Sequence, residues 1–184
     1  VISRSAFLRL EWALSSALIA IALAWGSLRG LPLMSQWRAT PGDVMTGAAA
    51  GAALWLWIPV LGLIPSMQRL WSTVLAPFSR SLRMIDIVVI AVLSAVSEEL
   101  FFRGVLLAEL GVVASSVLFG LLHALNRVYV LWAALTGVGL GLLMLYGGSL
   151  VTPVVAHATY NVGALIMLRR WQIAAAAPDA GIRR

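Results

Sequence analysis

The sequence predicts an all-α fold, a polytopic membrane helical bundle of about six transmembrane helices. Three observations predict it. Of 184 residues, 61% are hydrophobic and only 11% charged, too few charges to cover a water-facing surface. The apolar residues form long runs without the alternation of barrel strands. Prolines, glycines and an asparagine fall between the runs.

A helix rises about 1.5 Å per residue and needs roughly 20 residues to cross the hydrocarbon core. The first run, 12–28, is long, and Trp25-Gly26-Ser27-Leu28 has no small-x-small cleavage site; it is read as a permanent anchor, although the chain starts at Val1. Leu31-Pro32 ends it. The second run, 44–64, lies between Pro41-Gly42 and Pro65-Ser66, and the third, 84–110, follows Pro77 and stops at Gly111. The fourth, 111–125, is short, either tilted or ending part-way across, and Asn126 closes it. The fifth, 128–146, runs to Gly147-Gly148, and the sixth is 150–168. One membrane-embedded domain is expected over 1–171, with its core at about 84–168. The Ala-rich segment 172–184, with Pro178-Asp179, is expected to be a flexible tail. Gly47 and Gly51, and again Gly137 and Gly141, are four apart, which lets helix backbones approach closely.

The charge is +6 and entirely arginine on the basic side. The arginines sit at run ends, a topology signal and not a phosphate-binding face, so no nucleic-acid partner is expected. With the N-terminus inside, Arg4, Arg9, Arg69, Arg80, Arg83, Arg127, Arg169, Arg170, Arg183 and Arg184 are internal; only Arg29 and Arg38 are external, and Arg103 lies within a run. Both termini are therefore expected in the cytoplasm. The absence of cysteine rules out disulfides and thiolate metal sites.

Ionisable residues in mid-membrane cost about 2.5–3.5 kcal/mol on insertion scales and usually mark function. Here Glu98, Glu99 and Arg103 lie in the third run, His123 in the fourth, and His157 and Asn161 in the sixth. If Leu110-Gly111 is a tight turn, Glu98 and His123 lie at one depth, roughly 18 Å below the outer face. Counting from Gly147-Gly148 puts His157 and Asn161 at roughly 14 and 20 Å. Glu99 with Arg103, Phe119 with His123, and His157 with Asn161 are each four apart and share a helix face.

Each residue also has a structural reading. Glu99 and Arg103 could be a buried ion pair, His123 a core histidine on a carbonyl, and His157 with Asn161 interhelical hydrogen-bonding groups. Glu98 has no cationic neighbour of its own and suits a general base or a proton carrier. Trp55, Trp57, Trp71 and Trp132 are expected to be interfacial anchors. Glu109 is expected to be solvated, and Asp86 to lie near the inner headgroups.

These residues also carry a resemblance. Glu98-Glu99-Leu100-Phe101-Phe102-Arg103 resembles the EExxxR motif of the CAAX protease and bacteriocin-processing (CPBP or Abi) family of glutamic-type intramembrane proteases. Phe119-Gly120-Leu121-Leu122-His123 resembles its FxxxH motif, and His157-Ala158-Thr159-Tyr160-Asn161 its HxxxN motif. The similarity covers about 86–168 and extends to the type II CAAX prenyl endopeptidases, which are larger. It implies an intramembrane endopeptidase in which Glu98 deprotonates a water held by His123, while His157 and Asn161 donate to the oxyanion. Glu99, with Arg103, would position the site or meet substrate, and Phe119 would support it. No cofactor is expected. A zinc alternative would use Glu98, His123 and His157, but asparagine is a poor zinc ligand and neither histidine has a second close by in sequence.

HExxH, paired intramembrane aspartates and a GxSG serine are absent, so the other intramembrane protease designs do not fit. A proton-coupled transporter is the first rival, without the inverted repeats it would need; a non-catalytic scaffold or immunity protein is the second. The expected partners are the lipid bilayer and a membrane-associated protein or peptide substrate, with a C-terminal sorting or prenyl-type signal. The arginine-only basic composition points to a bacterial inner membrane.

Overall fold

The computed structural model describes residues 3–175. Val1, and most of the expected tail with Arg183 and Arg184, lie outside the described residues. Among the described residues there are helices and no strands.

Helix α1 (Arg4–Arg29) opens on Ser3, whose side chain accepts from the backbone N–H of Ala6, satisfying one of the donors a helix start leaves open. A short 3-10 turn (Leu33–Trp37) leads to α2 (Pro41–Trp55), which begins in a reciprocal capping box between Thr40 and Asp43. A short helix α3 (Trp57–Leu61) continues the crossing. The connection that follows is helical, contrary to the breaks expected from Pro65 and Pro77. It contains α4 (Pro65–Leu70), a π turn (Trp71–Leu75) and α5 (Ala76–Ser81), and both prolines sit in the first turn of a helix. There a missing N–H costs nothing and a fixed φ helps, so these prolines start helices.

Helix α6 (Met84–Glu99) passes into a second π turn (Leu100–Leu106) and then α7 (Leu107–Leu122). Met84–Leu122 is one continuous apolar stretch of 39 residues, but Gly111 adopts φ 77°, ψ 173° inside it and turns the chain back. Open space surrounds Gly111, so its conformation and not crowding demands glycine. The five apolar stretches long enough to cross a membrane thus form six legs. The returning leg is shorter than expected: it ends at Leu122, and His123 (φ −98°, ψ 31°) caps it. Helix α8 (Arg127–Gly147) is capped by the Asn126 side chain on the N–H of Tyr129 and closed by Gly148 in the left-handed region. Helix α9 (Val151–Ala175) runs past the expected start of the tail at 172.

The glycine pairs form the seams. A Cβ on Gly47 would lie 2.6 Å from the Thr152 carbonyl oxygen, and one on Gly51 would strike the Ala156 carbonyl, so α2 lies directly on α9. Gly137 and Gly141 face Ser116 and Val112, joining α8 to the returning leg of α7. On the other flank α1 runs parallel to the α6 leg and is fastened to it at three levels. Arg4 binds Asp86 through two hydrogen bonds of 2.5 and 2.6 Å, Ser97 donates to Ser15 at 3.2 Å, and Arg29 pairs with Glu109 at 2.8 Å. Glu109, expected to be solvated, is therefore paired, with its side chain only 18% exposed. The outward surface carries Leu10, Leu14, Leu28, Val113, Leu131 and Leu145, all exposed, the composition a hydrocarbon solvent favours.

Candidate active site

The reversal at Gly111 makes α6 and the end of α7 antiparallel neighbours, and it brings together residues far apart in sequence. His123 Nε2 lies 3.7 Å and His157 Nε2 4.0 Å from the same oxygen, Glu98 Oε2. That oxygen is buried and accepts no hydrogen bond among the described residues. Together with Asn161, these groups line a cavity of about 100 Å³, large enough for a few waters.

Behind the cavity stands a second tier. Glu99 is fully buried and does not line the cavity. Its Oε1 accepts from Arg103 Nη1 at 2.9 Å and from His157 Nδ1 at 2.8 Å. With Glu99 Oε1 as the acceptor of both contacts, His157 carries its hydrogen on Nδ1. The Nε2 that faces Glu98 can then donate only when the ring is an imidazolium. Arg103 also donates through Nη2 to the carbonyl of Gly137 at 2.9 Å, tying the ion pair to α8. Its guanidinium lies 4.7 Å from the centroid of the Phe119 ring, within cation–π range.

His123 is fixed differently. As the residue after the last helical turn, it reaches back to the carbonyl of Phe119, 2.8 Å from its Nδ1. A carbonyl only accepts, so Nδ1 carries the hydrogen and the Nε2 of the neutral ring presents a lone pair to the cavity. The Phe119 ring stacks against His123 at 4.4 Å and meets His157 at 6.0 Å, holding both imidazoles and the Arg103 head around one aromatic plate. Asn161 donates to Ser94 Oγ at 3.3 Å.

All seven residues singled out in the sequence fall in this region: Glu98, His123, His157, Asn161 and Phe119 on the cavity wall, Glu99 and Arg103 behind it. Sequence reasoning missed Tyr129, Trp132 and Tyr160, which also line it. Trp132, expected to be an interfacial anchor, donates to the Tyr160 hydroxyl at 3.0 Å and faces inward. Trp55 likewise points in, with its indole N–H near the carbonyls of Thr159 and Tyr160. The available signal was spacing, since Tyr160 lies three residues from His157.

Residues 80–163 match a family model, type II CAAX prenyl endopeptidase Rce1-like. No match was found among curated proteins or among solved structures. The matched stretch includes all seven residues above and begins after α1 and α2.

Proposed function

We propose that this chain, whose residues 80–163 match the type II CAAX prenyl endopeptidase Rce1-like model, is an intramembrane endopeptidase using water activated by Glu98. The observation that carries this reading is the convergence of two imidazole Nε2 atoms on Glu98 Oε2, which is buried and without a hydrogen bond among the described residues. Separations of 3.7 and 4.0 Å exceed hydrogen-bond length and suit a bridging water. Such a water would donate one hydrogen to Glu98 Oε2 and the other to the lone pair of His123 Nε2, leaving its own lone pair for attack.

In the proposed reaction Glu98 takes a proton from this water as its oxygen bonds to the scissile carbonyl carbon. The carbonyl electrons move to oxygen, where His157 Nε2–H and the free N–H of Asn161 receive the developing charge. The C–N bond then breaks, and the leaving amine takes the proton from Glu98. Glu99, itself held by Arg103, orients His157 without touching substrate. The substrate is a membrane-associated protein or peptide with a C-terminal sorting or prenyl-type signal. We place the protein in a bacterial inner membrane with both termini cytoplasmic, on the distribution of its arginines.

The test is cleavage by the protein reconstituted in bilayers. Glu98→Gln should lower kcat by about 10²–10⁴-fold, the range for a positioned general base. Unimpaired cleavage by both Glu98→Gln and His123→Ala would overturn the proposal, and proton flux without cleavage would favour the transporter. Activity should also survive dialysis against a chelator; loss restored by zinc would instead support a metal bound by Glu98, His123 and His157.

A further inference from the structure

Next to the candidate site, toward the Arg4 end of α1, lies a second cavity of about 220 Å³. It shares Tyr129, Trp132, Tyr160 and Asn161 with the first, so the two are separated by side chains and not by a helix. Apart from Ser94 its other walls are apolar and aromatic, with Trp71 among them, and its one carboxyl group is Glu11, from α1. None of the ion pairs among the described residues involves Glu11. Its hydrogen bond is from Ser15 Oγ, at 3.2 Å. A carboxylate set in an aromatic-walled cavity inside a membrane is costly unless a cation meets it. Tryptophan and tyrosine faces are the surfaces that favour a cation in such a place.

We infer that this cavity is a subsite for one arginine or lysine side chain of the substrate, with Glu11 as its counter-ion. The inference rests on the peptidase reading for its role and on the cavity for its chemistry. Position follows from the parallel register of α1 with α6. Ser15 is level with Ser97, and Glu11 lies one turn, roughly 6 Å, further toward the Arg4 end. An extended peptide advances about 3.3–3.6 Å per residue, so the basic residue sits within about three residues of the bond that Glu98 addresses.

The test uses the whole protein in nanodiscs and two synthetic apolar membrane peptides, identical except that one carries a single central arginine and the other citrulline. Wild type should bind the arginine peptide at least about tenfold more tightly, as expected for a charge-assisted contact in a desolvated site. Glu11→Gln should abolish the difference and Glu11→Asp should keep most of it, with thermal unfolding confirming that both variants fold. Equal binding of the two peptides by wild type, or a preference that survives Glu11→Gln, would overturn the inference. Incubation of the same peptides with wild type and Glu98→Gln reports separately on hydrolysis. A preference for arginine without any cleavage would sink the peptidase reading and leave the cation subsite standing. Where cleavage occurs, the cut should fall within about three residues of the arginine.

Discussion

Consecutive residues on a helix point about 100° apart, so Glu98 and Glu99 meet different surroundings. Glu98 faces the cavity with an oxygen to spare, while Glu99 faces the bundle interior, where Arg103 and His157 occupy one of its oxygens. Removing the charge from Glu99 should therefore act twice. Glu99→Gln leaves the buried guanidinium of Arg103 without its anion, a loss of about 3–5 kcal/mol for a broken interior pair, visible as a lower unfolding temperature in detergent. It also frees His157, so the folded fraction should show a reduced kcat with KM little changed. Asn161→Ala, by contrast, should leave stability nearly intact and lower kcat by about 10²–10³-fold if it is an oxyanion donor. At this scale the i,i+4 spacings and the rarity of charge made the polar residues legible. The aromatic wall was not, because a tryptophan near a helix end fits a membrane interface and a cavity equally well. Glu11 escaped notice for a related reason: it stands just before the expected start of the first run, where a carboxylate looks like headgroup decoration.

The helices were legible as apolar runs, and their ends less so. Gly111 was readable as a turn because glycine supplies the positive φ that reverses a chain. The π turns at Trp71–Leu75 and Leu100–Leu106 leave the apolar pattern unchanged, and nothing in composition announces them. The second follows Glu99 directly and contains Arg103, a placement common for π segments at functional sites. The glycine seams allow a sharper trial. Gly51→Val would drive a side chain into the carbonyl of Ala156 and should destabilise by about 1–3 kcal/mol, as overpacked interiors do. Gly139→Ala meets nothing within 4 Å and should be neutral or slightly stabilising by removing a helical glycine. Equal unfolding temperatures for the two variants would contradict the α2–α9 contact described above.

Across the whole molecule, arginine placement makes a claim that labelling can check. The chain has no cysteine, so single cysteines introduce unambiguous reporters. Ser35→Cys, in the exposed turn after α1, should react with an impermeant maleimide from outside the cell. Ser81→Cys, exposed at the end of α5, should react only after permeabilisation. The reverse pattern would invert the orientation.

The three polar fastenings between α1 and the α6 leg bear on what counts as a module here. Each has one partner within 80–163, the stretch that matches the family model, and the other in α1 outside it. Residues 80–163 produced by themselves would leave Asp86 and Glu109 without their arginines and would strip the α6 leg of the helix that covers it. That fragment should be degraded or aggregate in cells, and co-production of 1–79 as a separate chain should rescue it. The length over which this protein matches the family model is thus shorter than the length that can assemble, and a graft of the motif-bearing segment would have to carry its foreign neighbour along.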